Sequence, residues 1–190
     1  LHQELNDKLA TLADELCTLR PFNRVENLPA DAERRPLGVI AAGVPYANLV
    51  EWLDEQGLRE QVPVLKLGVA YPFPEALATD FVERFERVLV LEEPDALIET
   101  LLPDRSRIVG RMSGHVPDWG ELTPERQAEA IAPILREAGV PVELTARSEA
   151  EAAMAALELP VRPPTLCPGC PHRSAFHAIR KVFKGRKSIY

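Results

Sequence analysis

The clearest chemical signal in this chain is Cys167-Pro-Gly-Cys170-Pro-His172-Arg173. A C-x-x-C pair brings two thiolates close enough to grip one metal ion or one edge of a cluster. Gly169 lets the backbone fold round the sulfurs with N–H groups turned toward them. Several readings stay open. A zinc site could recruit His172 or His177, although C-x2-C-x-H-x4-H is not an established zinc spacing and Pro171 stiffens the approach. A redox dithiol would follow a strand and open a helix, and residues Ser174 to Phe183 could form that helix. The plain alternative is a turn holding two buried thiols. The preferred reading is half of a four-cysteine iron–sulfur site whose other ligands lie elsewhere.

His172 and Arg173 fall where a helix should begin, and there the backbone N–H groups and the helix dipole favour an anion such as a phosphate or carboxylate. An equally good account makes them solvent-facing residues of a first turn. Gly43 after an apolar run invites a nucleotide-binding reading. However, Ala42-Gly-Val-Pro-Tyr-Ala47 lacks both G-x-G-x-x-G and a Walker A Lys-Ser/Thr, so a strand-to-helix turn is preferred. Glu92-Glu93 are paired carboxylates at the end of a strand, where open α/β sheets bind ligands; without a base or metal beside them they read as ordinary loop acids. His115 is a lone loop histidine near Trp119. Cys17 reads as a structural thiol.

The elements that must position these residues follow from periodicity. Leu5, Leu9, Leu12 and Leu16 mark one face of an amphipathic helix that ends before Arg20-Pro21. A polar connector then runs to about Pro36. Leu37–Ala42, Val62–Leu67, Arg87–Leu91 and Arg107–Gly110 read as buried strands. Helices are expected over Tyr46–Gln56 with Gly57 in the C′ position, Glu75–Phe85, Asp95–Leu102, and from Thr123 to about Ala138. Ser148-Glu-Ala-Glu151 is a capping box opening a further helix to about Leu157, and Leu159–Pro164 reads as an extended linker. Strands alternating with helices at this spacing imply an α/β fold with an open, mostly parallel sheet flanked by helices.

With 190 residues, 46 % hydrophobic and 27 % charged, the composition is that of a soluble globular protein. A net charge of −7 provides no electrostatic footprint for nucleic acid or an anionic membrane. The basic cluster Arg180, Lys181, Lys184, Arg186 and Lys187 reads as a solvated helix end. No apolar run is long enough to span a bilayer, so no membrane partner is expected. Three cysteines, two of them in a C-x-x-C, argue for a reducing compartment and a cytoplasmic location. Leu1 falls inside a helix already in progress, and Lys187-Ser-Ile reads as a strand just beginning. Both ends are therefore expected to be cut from a longer chain.

An ordered set of short motifs carries a family resemblance across essentially the whole chain. It comprises Pro21-Phe-Asn-Arg24, Gly38-Val-Ile-Ala-Ala-Gly43 with Tyr46, Leu65-Lys-Leu67 leading into Tyr71-Pro-Phe-Pro74, and Val90-Leu-Glu-Glu93. Gly110-Arg-Met-Ser-Gly114, Gly120-Glu-Leu-Thr-Pro124 and Arg162-Pro-Pro-Thr-Leu-Cys-Pro-Gly-Cys-Pro-His-Arg173 complete it. The set resembles the large subunits of indolepyruvate:ferredoxin oxidoreductases. The resemblance implies a transketolase-C-terminal-like domain at residues 37–146, preceded at 1–36 by a helix and connector from a pyrimidine-binding domain. A helix and linker at 147–164 would then lead to the beginning of a pyrophosphate-binding thiamine domain at 165–190. It also implies thiamine diphosphate, Mg2+ and [4Fe-4S] clusters as cofactors, with Cys167 and Cys170 as cluster ligands and His172 and Arg173 beside the cofactor. The implied partners are a small (beta) subunit, ferredoxin, a 2-oxoacid substrate and coenzyme A. The implied reaction is oxidative decarboxylation of indolepyruvate or another aryl pyruvate to an acyl-CoA. Pro171-His-Arg173 departs from the Gly-containing continuation of related enzymes, and the Gly-Asp-Gly motif that binds magnesium and pyrophosphate does not occur in these residues. Alternatives from other classes are a non-catalytic subunit-association module and a sister enzyme acting on pyruvate.

Overall fold

The computed structural model describes residues 2–29, 33–144, 153–154, 156–157 and 165–187. The chain divides into two units, Leu1–Thr145 and Ala146–Tyr190. In the first, α1 (His2–Thr18) leads to β1 (Asn23–Glu26), β2 (Arg35–Ala42), α2 (Gly43–Glu55), β3 (Val64–Leu67), α3 (Glu75–Glu83) and β4 (Phe85–Leu91). Then come α4 (Leu97–Leu101), β5 (Ile108–Val109) and α5 (Pro124–Glu137). The sheet order is β1-β3-β2-β4-β5. β3, β2, β4 and β5 run parallel, and β1 pairs antiparallel with β3, Asn23 opposite Leu67 and Glu26 opposite Val64. The expected α/β fold with an open, mostly parallel sheet is therefore what forms.

Alternation along the inner strands sends side chains to two cores. Leu37, Val39, Ala41, Leu89 and Leu91 pack with Leu49 and Leu53 of α2 and with Ile131 and Leu135 of α5. Ile40, Leu65, Leu67, Val88 and Val90 face the other way, toward Ala78, Phe81 and Val82 of α3 and Ile98 of α4. Gly38 is needed for close approach: a Cβ there would lie 2.6 Å from the Phe85 ring. The helix ends obey the expected chemistry. Thr123 caps α5 by accepting from the Arg126 amide, Pro124 occupies its first turn, and Gly139 follows its C-cap at φ +83°. Gly57 plays the same part after α2, at φ +67°.

The expected strands and helices recur with shifts of a few residues at their ends. The main addition is β1, formed by residues of the expected connector. Asn23 explains why a polar segment pairs here. Its side chain is 1 % exposed; Oδ1 accepts from the amides of Gly68 and Val69, both at 3.0 Å, and Nδ2 donates to the carbonyls of Leu16 and Val69. One amide side chain thus ties the end of α1 and the start of β1 to the turn after β3. Of the stripe expected on α1 only Leu16 is buried, while Leu5 and Leu12 are exposed. The helix expected from Ser148, the linker at 159–164 and the strand expected after Lys187 lie wholly or largely outside the described residues.

Beside β1 is a compact charge cluster. Glu26 accepts from Arg24 Nε at 2.6 Å, from the Tyr46 hydroxyl at 2.8 Å and from Arg59 Nη2 at 2.5 Å, and Lys66 sits 5.0 Å from the Tyr46 ring centroid. Burial alone would raise the Glu26 pKa, but hydrogen bonds from Arg59, Tyr46 and Arg24, with the Arg59 charge, outweigh it and hold the carboxyl below its ordinary value of 4.5.

Two outcomes follow from these contacts. Asn23→Ala removes the partner of the Val69 amide and of two carbonyls, while the Gly68 amide keeps the Phe22 carbonyl; it is expected to destabilise the domain by about 1–3 kcal/mol, and an unchanged urea midpoint would contradict the account. Because the Glu26 pKa is depressed on folding, its stabilisation is present above the unfolded value and disappears as pH falls through the folded one. The stability gap between wild type and Glu26→Gln should therefore be open at neutral pH and close in acid. Urea melts across that range test this, and a gap independent of pH would count against it.

Candidate functional site

Within Ala146–Tyr190, residues Cys167–Cys170 form a turn closed by the Cys170 amide donating to the Cys167 carbonyl at 3.1 Å, with Gly169 at φ +77°. Pro168 followed by a positive-φ glycine is the sequence pattern of a type II turn. Cys170 is also the N-cap of α6 (Pro171–Val182), and its carbonyl accepts from the Arg173 amide at 3.1 Å. Pro171 suits the first helical position because an N–H there would have no helical partner. The helix begins three residues before the expected Ser174, so the C-x-x-C does open a helix.

Cys167 is exposed and Cys170 half-buried. His172 Nδ1 lies 3.2 Å from Cys170 Sγ, and His172 and Arg173 are exposed in the first turn of α6. The structure thus brings Cys170 and His172 together and puts Arg173 beside them, at the helix N-terminus that the sequence anticipates. His177 lies further along the exposed helix. Among the described residues no group of three or more His, Cys, Asp or Glu could hold a metal ion. Two thiols on one hydrogen-bonded turn fit two corners of a four-thiolate cluster, and the other two corners would have to come from elsewhere. No side chain of α6 is buried; Phe176, Val182 and Phe183 are exposed, and Arg180 and Lys181 end the helix, as its dipole favours.

The other candidate region is the C-terminal edge of the parallel strands. Glu92 is 3 % exposed, and its carboxylate accepts from the amides of Ile98 at 2.7 Å and Glu99 at 3.1 Å. It thereby serves α4, whose N-cap Ala96 has no side-chain acceptor. Burial pushes its pKa up, and the amide hydrogen bonds counter that only in part. Glu99 accepts in turn from the amides of Arg111 at 2.7 Å and Met112 at 3.2 Å, and a Cβ at Gly110 would strike its carboxylate. Arg111, also buried, donates to the carbonyls of Glu92 and Pro94, and Glu93 accepts from the Leu122 amide at 2.6 Å. Glu92 and Glu93 therefore hold loops in place. His115 is exposed and pairs with Ser113 Oγ at 2.9 Å. Neither Glu99 nor Arg111 carried a sequence signal of its own; an arginine in a glycine-flanked segment after the edge strand β5 was the available hint.

The chain is similar in sequence to several known proteins. It is 35 % identical over 192 residues to the indolepyruvate oxidoreductase subunit IorA of Methanothermobacter thermautotrophicus, covering 96 % of this chain and 28 % of the relative. It is 36 % identical to the IorA of Thermococcus kodakarensis over 100 % of this chain and 29 % of that protein. For Pyrococcus abyssi the identity is 38 %, over 90 % of this chain and 26 % of the relative. No family model and no solved structure matches the chain. The chain spans little more than a quarter of the length of these curated relatives. By its sequence, this chain is homologous to a segment of the indolepyruvate oxidoreductase subunit IorA proteins.

Proposed function

We propose that these residues serve a thiamine-diphosphate-dependent oxidoreductase that decarboxylates indolepyruvate or another aryl pyruvate oxidatively. The acyl group would pass to coenzyme A and the electrons, through [4Fe-4S] clusters, to ferredoxin. One observation carries the reading: two free thiols, one exposed and one half-buried, share a hydrogen-bonded turn at a helix N-terminus, in a chain homologous to an oxidoreductase subunit. Thiamine diphosphate with Mg2+, when bound, supplies the electron sink for decarboxylation. In this proposal Cys167 and Cys170 hold two corners of a cluster. His172 orients the Cys170 sulfur from its Nδ1, and Arg173 offers a positive charge to an anionic group of the cofactor near the start of α6.

Residues 37–146 are assigned the role of a transketolase-C-terminal-like scaffold, with 1–36 leading from a pyrimidine-binding domain. Residues 165–190 are assigned to the opening of the pyrophosphate-binding domain. The mostly parallel sheet of the first unit is compatible with that role. The small (beta) subunit is the expected partner. The free thiols of Cys17, Cys167 and Cys170 fit a reducing cytoplasm, and no described helix is long and apolar enough to cross a membrane.

A subunit-association role for the α/β unit is a second reading, and one observation favours it. Val44, Tyr71, Leu97, Met112 and Trp119 are exposed, and each follows the C-terminal end of a parallel strand. Cys167→Ala and Cys170→Ala, made in the full subunit, separate the two. The cluster reading expects each to lose about four iron atoms and their sulfide per subunit, whereas unchanged iron leaves only the association role. The 190-residue chain by itself is expected not to reduce a viologen dye with indolepyruvate, and turnover would show that the remaining parts are dispensable.

A further inference from the structure

We infer that Cys167 and Cys170 close into a reversible intrachain disulfide when they hold no metal, making this turn a thiol–disulfide modification site. Four features of the turn support this. It is closed by the Cys170-to-Cys167 backbone hydrogen bond at 3.1 Å. A turn of this kind holds its first and fourth Cα atoms within about 7 Å, against the roughly 4.4–6.8 Å that disulfides span. Gly169 at φ +77° takes the strained position of the loop without a side chain. Finally, the sulfurs differ in access: Cys167 is exposed, while Cys170 is half-buried at the N-cap with His172 Nδ1 3.2 Å from its sulfur.

That difference sets the order of events. With a small-molecule disulfide of the glutathione type as oxidant, the exposed Cys167 sulfur attacks one sulfur of the reagent. The S–S bond breaks, a mixed disulfide forms and one small thiol leaves. Cys170 then attacks the Cys167 sulfur, forming the intrachain bond and releasing the second small thiol. The two protein thiols lose two electrons and two protons, both gained by the departing thiols. Cys17 lies on α1 in the other unit, where it donates to the Ala13 carbonyl at 3.4 Å, and the test removes it. The disulfide uses the same two sulfurs as the proposed cluster and excludes it; that competition, unlike the disulfide itself, rests on the ligand assignment above.

The test uses the full chain carrying Cys17→Ala, equilibrated with mixtures of oxidised and reduced glutathione and read by intact-mass and peptide mass spectrometry. The expected product is a Cys167–Cys170 crosslink, half-formed at a glutathione ratio about tenfold less oxidising than for the same chain in urea, because the turn preorganises the pair. In Cys170→Ala the reaction should stop at a glutathione adduct on Cys167. A persistent mixed disulfide with both cysteines present, or equal ratios with and without urea, overturns the inference. A second arm loads ferrous iron and sulfide into the apo full subunit before and after oxidation. Oxidation should block uptake, and dithiothreitol should restore it. A disulfide that forms yet leaves uptake unchanged overturns the competition and the ligand assignment together. Failure of the disulfide with cluster loss in the alanine variants overturns this inference alone.

Discussion

The first unit depends on keeping β2 out of water on both faces. Val39, Ile40 and Ala41 are fully buried, and β2 has parallel neighbours on each side. Parallel neighbours require crossover connections, and a strand buried on both faces requires cover on both, so the helices must divide between the two sides. α2 and α5 contribute to one core, α3 and α4 to the other. Because β2 carries little side-chain volume at Gly38 and Ala41, its neighbours fill the space: the Phe85 ring occupies the position a Cβ at Gly38 would need, and Phe85 pairs with Phe81 at 4.7 Å between ring centroids. Small residues in the central strand and large ones around it are two parts of one packing solution.

The same arrangement gathers every inner-strand C-terminus on one edge, where ladder pairing stops and backbone amides need other acceptors. Two buried carboxylates and a half-buried one meet that need. Glu92 serves the start of α4, Glu99 the backbone after β5, and Glu93 the amide of Leu122. Burying a carboxylate is costly, and amide hydrogen bonds to the ionised group offset part of that cost. The raised pKa of Glu92 shows that the offset is incomplete. A pair of acids at a sheet edge would ordinarily suggest a ligand site. Here both Glu92 oxygens and Oε1 of Glu93 accept from backbone amides, so these acids support the loops of the edge.

Strands and helices with strong periodicity were legible in the sequence, since burial on one or both faces writes itself into residue order. β1 was not, because Asn-Arg-Val-Glu has neither an apolar run nor clean alternation. It pairs because Asn23 satisfies distant backbone groups and Glu26 gathers Arg24, Arg59 and Tyr46. Most of these contacts join residues twenty or more positions apart, and no local pattern encodes them. Helix caps at Thr123, Gly57 and Gly139 were readable because their chemistry is local. The C-x-x-C was readable for the same reason, and so was the helix after it, although Pro171 starts that helix before the expected Ser174. What neighbours the turn in three dimensions, beyond His172, could not be read from spacing.

The turn and α6 also constrain each other. Twelve residues is close to the length, about 12–15, below which an isolated helix is marginal in water, and no side chain of α6 is buried. Nucleation is the expensive step of helix formation, because the first turn fixes several residues for one hydrogen bond. Cys170 is the N-cap, and its carbonyl accepts from the Arg173 amide, so whatever fixes Cys170 supplies part of that nucleus. A bond from its sulfur to a cluster, or across to Cys167, would restrain the same residue. Occupation of the sulfurs and order in α6 are therefore linked equilibria: each ligand that holds Cys170 in its capping geometry stabilises the helix, and each contact that covers Phe176 and Ile179 presents the two sulfurs already placed.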